Sequence, residues 1–254
     1  QELREYALAD RVQVPSRFVE RSFLDRGFPP EKLVRNPYGV NLASFTPGPK
    51  SDETFRVVFA GSLSVRKGIH HLVRAFRLAN IPRSELWLVG GATADTPMLL
   101  GEADQRVKQV GHIPQDRLAA IYQNSSVFVM ASIEEGLAMV QVQALACGLP
   151  LICTTNTGGE DLLGLAGASP HQGNRGTEEY PAGYVVPIRD PEAIADLLWE
   201  LAANPHLLQQ KRCAALALRE QRMGWDTFAE RTVAVYQSLI ATRSSSPVLL
   251  GVST

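Results

Sequence analysis

Cysteine is scarce. The 254 residues hold three, Cys147, Cys153 and Cys213, odd in number and set in apolar surroundings. That suits small core residues in a reducing compartment better than a disulfide framework, and no spacing matches a zinc motif. Net charge is lacking too: 25 basic against 26 acidic residues leave a formal −1, so no general attraction to nucleic acid or an anionic membrane is expected. A local basic cluster for a small anion remains compatible with that balance. No apolar run reaches the roughly 18 residues of a membrane span, and no signal-peptide pattern opens the chain. A Walker loop and the Gly-x-Gly-x-x-Gly dinucleotide fingerprint are both absent, which counts against ATPase and nicotinamide-oxidoreductase readings.

What is present is an ordinary globular composition, 45% apolar and 20% charged. A chain of this length buries one substantial core, or one core and a fragment of a second. From about residue 55, short β-rich runs alternate with helical stretches: FRVVFAG (55–61), ELWLVGG (85–91), RVKQVG (106–111), SVFVMAS (126–132), LPLICTT (149–155) and GYVVPI (183–188). Continuous apolar strands alternating with helices indicate a parallel sheet covered on both faces. The fold class is therefore α/β, a doubly wound, Rossmann-like parallel sheet, with ligands expected at the C-terminal ends of its strands.

Residues 1–50 lie outside that pattern and read as helix, strand, helix and a short extended piece; the Pro- and Gly-rich TPGPKSDET reads as a linker. After Asp190, an N-cap followed by Pro191, three helices are expected: one from Pro191, one over Pro205–Arg222 and one from about Trp225 to Thr242, before a loose SSSPVLLGVST tail. The division is thus 1–50, 51–222 and 223–254. Since the chain begins at Gln1 and enters helical sequence at once, it reads as a fragment with an upstream part missing.

Three segments carry chemistry. Gly61-Ser62-Leu63-Ser64-Val65-Arg66-Lys67-Gly68 joins the first strand of the alternating pattern to a helix. Small residues allow a tight turn, the helix start offers unpaired N–H groups, and Arg66 with Lys67 adds positive charge, together a diphosphate cradle. The competing reading makes both cations solvated loop residues. Ser132-Ile133-Glu134-Glu135-Gly136-Leu137-Ala138 leads into a helix whose only polar members are Gln141 and Gln143. A helix apolar nearly all round is buried, so Gln143 must face a protein or ligand partner. The two glutamates alternatively serve as an acidic helix start. Thr157-Gly158-Gly159-Glu160-Asp161 either brings backbone close to a ligand or forms a flexible turn. Of the five histidines, His70 and His71 fall on a helix, whereas His112 lies at a strand end on the ligand rim.

These segments, in this order, resemble the retaining glycosyltransferases of family 4, which have the two-domain GT-B fold. VPSRFVERSFLDRGFPPEKLVRNPYGVN, GSLSVRKGIHHLVRAF, VGHIPQDRLAAIYQNSSVFVMAS, EEGLAMVQVQALACGLPLI, GGED and GYVVPIRDPEAIADLL carry the likeness across nearly the whole chain. The resemblance implies that Lys67 and Arg66 bind the donor diphosphate and that Glu135 contacts the transferred sugar. It also implies amide contacts from Gly136, Leu137 and Ala138, participation of Gly61 and Ser62, and a nucleobase near Gly111, His112 and Ile113. Two departures stand out. The arginine usual after the first glycine is Ser62 here, so Arg66 would compensate from four residues later, and the second glutamate of the family's pair is Gln143. The implied activity is transfer of a sugar from a UDP- or GDP-type nucleotide sugar, with no cofactor and no metal, consistent with the missing DxD motif. The acceptor would be a glycan or lipid held by the missing N-terminal domain, in surface polysaccharide or glycoconjugate synthesis. The expected location is cytoplasmic, with peripheral membrane association of the full-length protein left open. Residues 1–50 would be the end of the acceptor domain, with Val12, Val14, Phe18 and Phe23 packing on strands outside this chain. The fragment would then bind donor without transferring sugar. Rival readings are a catalytically decayed nucleotide-sugar-binding module, a GT-B-like nucleotide-sugar epimerase and, less favoured, a glycan phosphorylase.

Overall fold

A computed structural model describes residues 2–245. The chain opens with α1 (Glu2–Leu8), β1 (Val12–Val14), α2 (Arg17–Leu24) and β2 (Leu33–Arg35). It continues through β3 (Phe55–Ala60), α3 (Ile69–Ala79), β4 (Ser84–Val89), α4 (Thr96–Leu100), β5 (Val107–Gly111) and α5 (Gln115–Gln123). Then come β6 (Val127–Met130), α6 (Met139–Ala146), β7 (Leu151–Thr154), α7 (Gly159–Leu163), β8 (His171–Gln172), β9 (Glu178–Tyr180) and β10 (Gly183–Val186). Three helices close it: α8 (Pro191–Ala203), α9 (Pro205–Arg222) and α10 (Trp225–Ser245).

All six apolar runs are strands of one sheet, ordered β5-β4-β3-β6-β7-β10-β9-β8. Every pairing from β5 to β10 is parallel; only the β10–β9 and β9–β8 pairs are antiparallel. β3, β6, β7 and β10 are buried at every position, which is why their sequences run apolar without alternation. The order reverses between β3 and β6, so the crevice expected of a doubly wound sheet opens between the loops at the C-terminal ends of those two strands.

The helix starts obey local chemistry. The Asp190 carboxylate accepts the Ala193 N–H (2.8 Å) ahead of Pro191, and the Asn204 side chain accepts the Leu207 N–H (3.0 Å) ahead of Pro205. α10 runs three residues past the expected Thr242, and the tail from 246 lies outside the described residues. The antiparallel β8 and β9 have no counterpart in the sequence pattern; HQ and EEY are too short and too polar to carry a strand signal.

The N-terminal segment forms its own two-stranded parallel sheet, β1 on β2. It is nevertheless joined to the main body. Val40 donates its N–H to Met223 O (2.8 Å), and Phe45 is fully buried in the same core, its ring 6.2 Å from that of Tyr122. Of the residues expected to pack on outside strands, Val14 is buried, and Phe23 is partly buried and packs edge-on against Tyr6 and Phe28. An apolar cleft of about 600 Å³ remains beside those rings, between α1 and α2. No helix among the described residues is long and apolar enough to cross a membrane.

Candidate functional site

The loop after β3 turns through glycines at positive φ and packs closely on its neighbours. Gly61, at φ +146°, donates its N–H to Val89 O, and Gly90 lies so near that a Cβ there would meet Gly61 O at 1.9 Å. Gly68, left-handed at φ +65°, precedes α3 and backs onto Ala131 O, also 1.9 Å from an added Cβ. The loop is therefore pressed against the ends of β4 and β6, and Lys67 is carried toward the loop after β6.

That second loop is held from both sides. Ile133 donates its N–H to Arg66 O (2.9 Å), while Glu135 donates to Asn156 O (2.7 Å). The Asn156 side chain donates to Ile133 O (3.0 Å), and Thr154 donates its hydroxyl to Ser132 O (2.5 Å). The backbone at Glu135 is thereby fixed between the ends of β3 and β7, with its side chain facing the β3 loop.

The result is a charged triad. The Lys67 ammonium contacts the Glu135 carboxylate, and both side chains are largely buried, at 13% and 19% exposure. Arg66, 58% exposed, donates to Glu134 O (3.2 Å) and reaches the same Glu135 oxygen at 3.5 Å. Burial and then the Arg66 charge pull Lys67 down to about 8; the carboxylate in contact with it pulls the other way. Glu134 contributes its carbonyl to Arg66 rather than its carboxylate to the triad.

Beyond Glu135 the backbone offers donors. The N–H groups of Gly136, Leu137 and Ala138 make no hydrogen bond within the described residues. Leu137 and Ala138 are both buried, and α6 begins directly after them, so these amides add to the positive end of a buried helix. On α6, Gln141 is bonded within the protein, its amide donating to Thr157 O (2.9 Å). Gln143 differs: it is 7% exposed, and its Oε1 has no partner. It stands one turn after Met139 and Val140, the two helix positions that are only partly buried. Gln143 is thus the polar group of α6 with capacity to spare, at an unpaired cost of about 1–3 kcal/mol.

Ser62 is exposed and Gly61 partly so, at the tip of the β3 loop. His112 and Ile113 come directly after β5, two strands from β3 and so about 10 Å across the same sheet edge. No hydrogen bond or ion pair brings either of them to the Lys67–Glu135 pair.

Packing within the protein accounts for glycine at both 158 and 159. A Cβ on Gly159 would meet Cys153 Sγ at 2.2 Å, and one on Gly158 would meet Gly136 O and Ser16 Cβ at 2.8 Å. The neighbouring acids are also engaged: Asp161 accepts from the Arg17 N–H (2.6 Å) and from Arg35 (2.8 Å), and Glu160 from Arg21 (2.9 Å). Sequence reasoning missed Ser16 and Asn156. Ser16 signals a helix start, but nothing local announces its contact 120 residues away.

Comparison with known proteins shows the family and the fold. The chain is 30% identical over 238 residues to a D-inositol 3-phosphate glycosyltransferase of Jonesia denitrificans, covering 82% of this chain and 52% of that protein. It is 27% identical over 199 residues to an alpha-maltose-1-phosphate synthase of Mycolicibacterium smegmatis, covering 73% and 48%. The chain spans about half the length of the curated relatives it matches. Among solved structures, a sucrose-phosphate synthase from Thermosynechococcus elongatus superposes with a TM-score of 0.72 at 26% identity, over 95% of this chain and 63% of that one. Anabaena Alr3699/HepE in complex with UDP gives 0.73 at 19% identity, over 90% and 64%, a likeness of fold. The fold is that of a GT-B glycosyltransferase, and residues 54–204 match the model of glycosyl transferases group 1, the family to which this chain belongs.

Proposed function

We propose that this chain is the donor-binding half of a retaining glycosyltransferase of family 4, holding a nucleoside diphosphate sugar between the β3 and β6 loops. The observation that carries the reading is the convergence of Lys67, Arg66 and Glu135 beside three unpaired amides at the strand-order reversal. Two cations and a helix start suit a diphosphate; a carboxylate at their edge suits sugar hydroxyls. The UDP complexes of Anabaena Alr3699/HepE, one of them with glucose, support a donor of this class.

In the reaction, the bond from the anomeric carbon to the diphosphate oxygen breaks and one to an acceptor hydroxyl oxygen forms on the same face. The hydroxyl proton leaves with the diphosphate or to solvent. Lys67, Arg66 and the amides of Gly136, Leu137 and Ala138 stabilise the charge that grows on the leaving oxygens, and Glu135 orients the sugar. The acceptor, a glycan or lipid, is assigned to the portion of the relatives that this chain does not span. The chain alone is therefore expected to bind donor without transferring sugar, and the whole protein is assigned to glycoconjugate synthesis.

Calorimetric titration with UDP, GDP and ADP tests the reading. Binding of one of them, weakened at least tenfold by Lys67→Ala, supports it; no binding of any, or an unaffected Lys67→Ala, rejects it. Gln143 favours a second reading, a nucleotide-sugar-binding module that has lost turnover. Gln143→Glu in the full-length protein separates the two, since a large gain in transfer points to loss of function and no gain to a working variant.

A further inference from the structure

Ser16 lies 120 residues from Gly136, yet its hydroxyl donates to the Gly136 carbonyl at 2.5 Å while accepting the Val19 N–H at 3.2 Å. It is fully buried. The second bond caps α2. The first has no role in α2 and fixes one peptide plane in the loop after β6. In a trans peptide the C=O of Gly136 and the N–H of Leu137 point in opposite directions, so the bond from Ser16 aims the Leu137 N–H away from α2.

We infer that Ser16 is a positioning residue for the diphosphate-binding amides, acting from behind them through the Gly136 peptide. The inference rests on the proposed reading of that site. The surroundings agree with it. Gly158, at φ +71°, leaves no room for a side chain between Gly136 O, Ser16 Cβ and Leu137 Cδ1, and a Cβ on Gly136 would touch Val19 at 3.4 Å. Ion pairs and a backbone bond at α2 and β2 hold Ser16 in place: Asp161 receives both the Arg17 N–H and Arg35, while Arg21 pairs with Glu160. The α2 start, the Gly136 loop and the Gly158 turn therefore form one packed junction behind the unpaired amides.

The test compares Ser16→Ala and Ser16→Thr with the wild-type chain, using UDP as the probe with GDP and ADP beside it, and uridine as a ligand without phosphates. Ser16→Ala is expected to weaken binding of the nucleoside diphosphate about tenfold while uridine binding holds, and Ser16→Thr, which keeps the hydroxyl, to restore it. Unfolding midpoints in urea are measured for each, since loss of the cap lowers stability without touching selectivity. Unchanged diphosphate affinity in Ser16→Ala, or equal losses for UDP and uridine, overturns the inference and leaves Ser16 a helix cap. Failure of the wild-type chain to bind any of the three diphosphates counts instead against the proposed donor site.

Discussion

The Lys67 ammonium rests on the Glu135 carboxylate, so the residue assigned to the diphosphate and the residue assigned to the sugar are each other's partner. An anion arriving at Lys67 competes with that carboxylate. Glu135→Gln is therefore expected to tighten binding of bare UDP, by up to about 1 kcal/mol or roughly fivefold. The same substitution removes the group that orients the sugar, so the advantage of a UDP-sugar over UDP shrinks. Weaker UDP binding by Glu135→Gln in a calorimetric titration would contradict the assignment.

Lys67 also sets a pH dependence. Burial and Arg66 hold its ammonium down to about 8, and only the protonated form attracts a diphosphate. At the proposed site a diphosphate would favour the charged form, so binding is expected to take up a proton around that pH and affinity to fall as pH rises through it. The loss is roughly tenfold at one unit above the free-protein value. Titrations from pH 7 upward avoid the ligand's own ionisation near about 6. A flat affinity up to pH 10 would remove Lys67 protonation from the binding step.

These two effects depend on loops that the sequence makes legible. The six strands and the α8 and α9 boundaries are legible because burial on both faces of a parallel sheet, and Asp-Pro or Asn-Pro at a helix start, leave marks in adjacent residues. The β3 and β6 loops are legible for the same local reason: glycines, adjacent cations and an acidic pair ahead of a buried helix. Partnership across distance leaves no such mark. Glu160 and Asp161 give no sign of meeting Arg21 and Arg35, and nothing beside Gly158 in the sequence shows that a side chain there would meet Ser16 and Gly136.

Two left-handed glycines separate conformational strain from contact. Gly27 and Gly68 have φ of +75° and +65°, but a Cβ on Gly27 meets nothing within 4 Å, whereas one on Gly68 meets Ala131 O at 1.9 Å. Gly27→Ala should cost about 1 kcal/mol from backbone strain alone. Gly68→Ala adds a backbone clash in the candidate site and should exceed about 3 kcal/mol. Urea denaturation of the two variants measures the difference, and similar midpoints would mean that the β3 loop is free to move off β6.

The thiols give a direct probe of packing beneath the site. Cys153 is fully buried at the end of β7, where Gly159 crosses it, and Cys147 is buried after α6. Burial pushes both thiols up to about 12, so neither supplies thiolate near neutral pH. Cys213 is exposed on α9. At pH 8 a disulfide reagent should consume one thiol per native chain and three after denaturation. Fast reaction at Cys153 in the native chain would mean that the α7 turn opens readily, and with it the junction that joins Gly158 to Gly136 and Ser16. Slow reaction at Cys153, retained in Ser16→Ala, would place the effect of that substitution in the Gly136 peptide itself rather than in a general loosening of the fold.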